Sequence, residues 1–242
     1  IISLLPTFFY AEEGKEFYVN QYVDANYDGK DFQFSVTGNY PASETVELTI
    51  NKGAAKELNL RIPSWCKNPG ISLNGKALEG VQSGSYFKLN RVWKKGDKLT
   101  INFPMEERWV KRENHAEYEK HYLAGGEIMY NQKPAKRIPY AYLRGPVVYC
   151  VDMVWNPQLN NDDCNIEKDL RVDVNQKPVV IAKVDPTMMT ECFKAKGTYK
   201  GSPVDLILTP FANIGQWWRN GEAKPQKWSD AFTYGIWVYP AK

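Results

Sequence analysis

Between Leu58 and Pro104 the chain alternates apolar and polar residues with a period of two, and that pattern leaves few folds open. Leu58, Leu60 and Ile62 alternate with Asn59 and Arg61; Leu99, Ile101 and Phe103 alternate with Thr100 and Asn102. Successive side chains of an extended strand point to opposite faces, so each apolar set gathers on one side and the spacing predicts half-buried strands. Asn74-Gly75 separates two such stretches, and both residues tolerate the positive φ that a two-residue hairpin turn requires. Gly96-Asp97 punctuates the next turn. The block reads as an antiparallel β unit, and by itself it carries no chemistry.

The same reading extends in both directions. Glu16 to Val23 is predicted to be a first strand, Asp28-Gly29 a turn, and Phe32, Phe34 and Val36 the inward set of a second strand. Val46, Leu48 and Ile50 make a third, closed by Asn51-Lys52-Gly53. Short strands with turn signals every 8–12 residues or so argue for a sandwich. Regular alternation stops and charges accumulate from Pro104 to Arg112, which reads as a domain boundary. Beyond it, Ala124 to Pro139 reads as an irregular insertion, and Tyr142 to Val151 as one near-continuous apolar strand entered through Gly145-Pro146. Val179–Ile181, Val204–Leu208 and Ile236–Tyr239 are further expected strands. At the front, Ile1, Leu4, Leu5, Phe8 and Phe9 fall at helical spacing, with Pro6 tolerable in a first turn. Such a stripe needs cover, either on the β unit or as the end of a larger helical domain.

Composition and motifs exclude more than they propose. Hydrophobic residues at 43% and charged residues at 24% are those of a folded chain. A net charge of +3 with no basic run leaves no nucleic-acid footprint, and no apolar stretch approaches the roughly 20 residues that cross a bilayer. The chain has only two histidines, His115 and His121, and its four cysteines, Cys66, Cys150, Cys164 and Cys192, form no Cys-x-x-Cys, so no metal site is expected. On a strand, His115, Glu117, Glu119 and His121 would share one face. At about 3.3 Å per residue, however, the histidines would stand roughly 20 Å apart, beyond the reach of one ion. There is no Gly-x-Ser-x-Gly elbow and no phosphate-cradling glycine loop, so no catalytic residue is nominated. The remaining candidate is the polar-aromatic stretch from Asn213 to Asp230. Its Trp217, Trp218 and Trp228 form either a stacking surface for sugar rings or a plug at the end of a sandwich.

Five motifs in order, Leu60-Arg-Ile-Pro-Ser-Trp65, Leu73-Asn-Gly75, Gly84-Ser-Tyr-Phe87, Arg91-Val-Trp-Lys-Lys-Gly-Asp97 and Leu143-Arg-Gly-Pro-Val-Val-Tyr-Cys150, resemble the C-terminal β region of glycoside hydrolase family 127, the β-L-arabinofuranosidase-like proteins. Phe17-Tyr-Val-Asn20 resembles the strand entering that region, and Ile1 to Tyr10 the last helix of the family's (α/α)6 catalytic barrel. The resemblance implies a parent that hydrolyses terminal arabinofuranose-type sugars with a cysteine nucleophile beside a zinc ion, both in the barrel. None of the four cysteines here lies in the matching motif. The stretch from Glu113 to Tyr142 is longer than the family pattern, and the match loosens after Val151.

The expected architecture is therefore all-β, with two antiparallel, jelly-roll-like β-sandwich domains and a short N-terminal helix remnant. Residues 1–24 would hold the remnant and a first strand pairing with the second sandwich. Residues 25–108 would form an inserted sandwich and 109–242 the second. The resemblance implies no cofactor in this chain, its own catalytic barrel as partner, and a non-catalytic accessory role. Carbohydrate binding through Trp217, Trp218 or Trp228 is the rival reading.

Overall fold

The computed structural model describes residues 8–113, 116–122, 128–134, 138–159, 166–214, 234–236 and 238–241. The expected N-terminal helix at residues 1–7 lies outside them. The chain is all-β and divides into two units, Ile1–Glu106 and Glu107–Lys242. Among the described residues the longest α-helix is the four-residue turn Ile166–Asp169.

The first unit runs β1 (Tyr10–Glu13), β2 (Glu16–Val19), β3 (Ala25–Asp28), β4 (Gln33–Thr37), β5 (Thr45–Lys52), β6 (Ala55–Arg61), β7 (Gly70–Leu73), β8 (Lys76–Leu78), β9 (Tyr86–Val92) and β10 (Lys98–Asn102). They form a four-stranded sheet in the order β1-β2-β6-β9 and a six-stranded sheet in the order β3-β4-β5-β10-β7-β8. The inward residues of both sheets make one core, with Leu48, Leu58, Leu60, Leu99, Ile101 and Phe103 all buried. Aromatic rings join the sheets edge to face: Phe17 stands 4.7 Å from Tyr27 and 5.4 Å from Phe34. Each fully buried Leu or Phe contributes about 1.5–3 kcal/mol.

The Glu16–Val19 strand does not pair with the second unit, as the sequence reading expected. It lies beside β6, where Phe17 and Val19 are in register with Leu58 and Leu60 and are buried with them. That pair is also parallel, against the expectation of a wholly antiparallel sandwich. Between β2 and β6 the chain crosses to the other sheet, lays down β3, β4 and β5, and returns. A crossover of that length can deliver a strand in either direction.

Two turns of this unit are tied to each other. Asn74 and Gly75 take positive φ (51° and 81°) in the β7–β8 hairpin. The Asn74 amide donates to Asp97 Oδ1 at 2.8 Å, while its carbonyl oxygen accepts the Lys98 N–H at 2.8 Å. Asp97 Oδ2 accepts the Lys94 N–H at 2.9 Å, and Arg91 lies 3.5 Å away. The Asn74 hydrogen bond, with that from Lys94 and the nearby cations, holds the Asp97 pKa below the usual carboxylate range. Another close approach is at Gly53, where a Cβ would fall 2.0 Å from the Trp93 carbonyl oxygen. Trp93 is itself buried, its indole N–H donating to the Lys56 carbonyl at 3.1 Å.

The second unit runs β11 (Glu107–Lys111), β12 (Ala116–Tyr122), β13 (Ile128–Pro134), β14 (Tyr140–Arg144), β15 (Val147–Asp152), β16 (Leu170–Val172), β17 (Val179–Ile181), β18 (Cys192–Tyr199), β19 (Ser202–Pro210) and β20 (Tyr234–Gly235). Its main sheet has the order β11-β14-β15-β19-β18-β16, with β17 added to β18 and β20 to β15. The sheet curls back on itself. Tyr140 of β14 exchanges two 2.8 Å hydrogen bonds with Val238, and Val172 of β16 bonds Tyr239 and Ala241 at 2.9 and 2.8 Å. One short segment thus touches β16 at one end of the sheet and β14, next to the strand at the other. The rolled sheet encloses a core that includes Tyr142, Tyr149, Phe193, Leu206 and Leu208.

Two expectations for this unit are corrected. The apolar run from Tyr142 to Val151 is two strands, because Gly145, at φ +54°, turns the chain between β14 and β15. The stretch read as an irregular insertion contains β13, paired residue for residue with β12. β12 carries the polar run Glu117-Tyr-Glu-Lys-His121, a composition that hides a strand behind charge.

Gly53→Ala is expected to lower stability by about 1–3 kcal/mol, read as a drop in the urea midpoint at unchanged slope. For Asp97 the sign follows from its depressed pKa: its contribution is present above the unfolded carboxylate pKa and is lost as pH falls through the lower folded value. Asp97→Ala should therefore lower the thermal midpoint clearly at pH 7, with the gap to the parent closing as both are acidified below that value.

Candidate functional site

The outward face of the four-stranded sheet gathers polar and aromatic side chains from three strands. Because Leu58 and Leu60 of β6 point inward, Glu57, Asn59 and Arg61 point outward. Register places Tyr18 of β2 on one side of Asn59 and Lys88 of β9 on the other, with Tyr86 opposite Arg61 and Asn90 opposite Glu57. Tyr18 and Tyr86 pack edge to face at 5.4 Å. Tyr86 is 41% exposed, and its hydroxyl donates to Asn20 at 2.6 Å. The Tyr18 hydroxyl donates to the Glu16 carboxylate, which raises its pKa to about 12. Lys88 reaches Glu57 at 3.3 Å with its own side chain 61% exposed.

At the centre of this face Asn59 is anomalous. It is 0% exposed, and neither its amide nitrogen nor its carbonyl oxygen has a hydrogen-bond partner. Buried carboxamides are nearly always paired, because desolvation without a partner costs about 1–3 kcal/mol.

A second concave feature is an open groove of about 420 Å³ lined by Glu44, Lys67, Asn68, Pro104, Met105 and Glu106. Two carboxylates are the number glycoside hydrolysis uses. Here, though, Glu44 Oε1 accepts the Met105 N–H at 3.1 Å, and Glu106 pairs with Lys67 at 2.6 Å. Both are engaged in holding the chain together.

The described thiols do not supply a nucleophile. Cys66, Cys150 and Cys192 are free and buried. Burial raises the pKa of each, that of Cys150 to about 12 despite its contact with Thr209. A catalytic thiol needs the opposite shift. Among carboxyl groups, burial raises Asp152, whose Oδ1 accepts the Val154 N–H at 2.9 Å. It sits beside Asn156, which bonds the Asp152 and Ile207 carbonyls and the Ile207 N–H, all at 2.8 Å. This is a structural brace between the loop after β15 and strand β19. Among the described residues no three His, Cys, Asp or Glu side chains group as a metal site, and no helix is long and apolar enough to cross a membrane.

The sequence-nominated Trp217, Trp218 and Trp228 lie outside the described residues, as does Cys164. His115 lies outside them too, and His121 is placed only as a backbone member of β12. Asn59 was visible in the sequence as an outward position of a predicted strand. What it did not signal was that Asn59 is closed off from water, which depends on its cross-strand neighbours.

Residues 16–105, nearly the whole first unit, match the family model described as beta-L-arabinofuranosidase, GH127 middle domain. The matched stretch is similar to the middle domain of glycoside hydrolase family 127. Solved structures of like fold include a glycoside hydrolase at 18% identity and TM-score 0.63, covering 97% of this chain and 37% of that one. A GH127 beta-L-arabinofuranosidase from Geobacillus stearothermophilus T6 aligns at 19% identity and TM-score 0.61, over 99% of this chain and 36% of that one. A GH127 beta-arabinofuranosidase aligns at 19% and 0.62, over 98% and 37%. No curated protein matches. The chain thus spans little more than a third of the length of the solved proteins it resembles.

Treating the native chain with iodoacetamide at pH 8 is expected to leave Cys150 unalkylated in peptide mapping, and prior denaturation to make it reactive. Rapid native labelling would show a thiol far more acidic than its burial allows.

Proposed function

We propose that this chain is a non-catalytic accessory region of a glycoside hydrolase, flanking and stabilising a helical-barrel catalytic domain that acts on arabinofuranose-type sugars. The observation that carries the reading is the asymmetry of coverage: the solved glycoside hydrolases account for 97–99% of this chain, yet the chain accounts for only 36–37% of them. The chemistry of the described residues supports it. The three described thiols are held in their protonated form, and the two carboxylates of the groove are committed to a backbone amide and a lysine. A glycosidase needs one carboxyl poised as an acid and another as base or nucleophile, or a thiolate in the nucleophile's place.

The 242-residue chain should give no detectable hydrolysis of an aryl β-L-arabinofuranoside. An intact protein containing it should hydrolyse that substrate and lose thermal stability when the β region is deleted. Steady turnover by the isolated chain would overturn the proposal.

A further inference from the structure

We propose that the outward face of the sheet β1-β2-β6-β9 is a saccharide-binding site, centred on Tyr86 and Asn59 with Arg61 and Glu57 beside them. This goes beyond the accessory role and stands on different observations. The first is Asn59, fully buried and unpaired in both of its polar atoms on the side of the strand that faces away from the core. Such a group calls for a partner that the described chain does not supply. A carboxamide presents one acceptor and two donors side by side, and vicinal hydroxyls, each donor and acceptor at once, complement it. The second is Tyr86, an aromatic ring left 41% exposed and held in place by its contact with Tyr18 and its hydrogen bond to Asn20. A fixed, half-open ring is a surface on which the C–H face of a sugar stacks at little entropic cost.

The charges on the same face narrow the ligand. Arg61 and Lys88 are interleaved with Glu57 and Glu16, so a polyanion meets as much repulsion as attraction, while a neutral polyol finds donors and acceptors together. An extended peptide would add to the open edge at β9, whereas Asn59 lies on β6, which is hydrogen-bonded on both sides. Access to Asn59 requires a side chain to move. Lys88 lies directly across from it, is mostly exposed, and is held by a single 3.3 Å pair with Glu57, an arrangement that opens on the timescale of side-chain rotation.

Calorimetric titration of the 242-residue chain with neutral arabino-, xylo- and galacto-oligosaccharides tests the site. Binding of at least one of them is expected, weakened about tenfold or more in Tyr86→Ala. Asn59→Leu should lose binding while raising the unfolding midpoint, since it removes an unpaired buried amide from a face distant from the core. Lys88→Ala should bind at least as well as the parent. Two results overturn the proposal: no heat with any of the three sugars, or binding that neither Tyr86→Ala nor Asn59→Leu changes. Neither result bears on the accessory role, which the hydrolysis assay decides separately.

Discussion

The first unit depends on the register of strand β6. Leu58 and Leu60 are buried because β2 lies on one side and β9 on the other in a pairing that aligns Phe17, Val19, Phe87 and Leu89 with them. Side chains alternate strictly along a strand, so a slip of one residue would turn the leucines out and drive Glu57, Asn59 and Arg61 into the core. The aromatic cluster beneath, in which Tyr10 and Phe17 of this sheet meet Tyr27 and Phe34 of the opposite sheet edge to face, enforces the same alignment. A single register therefore decides both what the core contains and which residues the outer face displays.

Much of this was legible in the chain itself. Period-two alternation located β4, β5, β6 and β10, and Asn74-Gly75 marked a real hairpin, because those signals act locally. What escaped depends on distant partners. β18 reads Cys-Phe-Lys-Ala-Lys-Gly-Thr-Tyr, too weak in β-branched residues to declare itself, and it is a strand because β19 pairs along its length. β11 carries intermediate burial at four successive positions, with none of the alternation that half-buried strands show. The placement of β2 was misjudged because a strand's sheet is a tertiary decision, here settled by the fit of Phe17 and Val19 beside two leucines.

The candidate site was less legible than the fold. Sequence reasoning nominated Trp217, Trp218 and Trp228, conspicuous as large aromatics among polar neighbours, and they lie outside the described residues. The outward face is built from residues whose individual signals are ordinary: two tyrosines, one asparagine, one arginine. They come from three strands separated by up to 68 positions, from Tyr18 to Tyr86, and only the pairing of β2, β6 and β9 brings them together. That none of the described thiols is reactive is also a matter of packing. Cys150 is a buried strand residue of the second unit, where desolvation, aided by the nearby Asp152 carboxylate, suppresses the thiolate.

The rolled sheet of the second unit has a kinetic consequence. Tyr140 and Val172 find their partners in Val238, Tyr239 and Ala241, so the hydrogen bonds that bring the two sides together join positions almost a hundred and almost seventy residues apart. Such long-range pairings slow folding, since the loop must be drawn in before any bond rewards it. During synthesis the earlier strands of this unit wait, unsealed, until residues 238–241 have left the ribosome. The ten strands of the first unit have no such dependence, and that half of the molecule is free to mature while its neighbour is still being made.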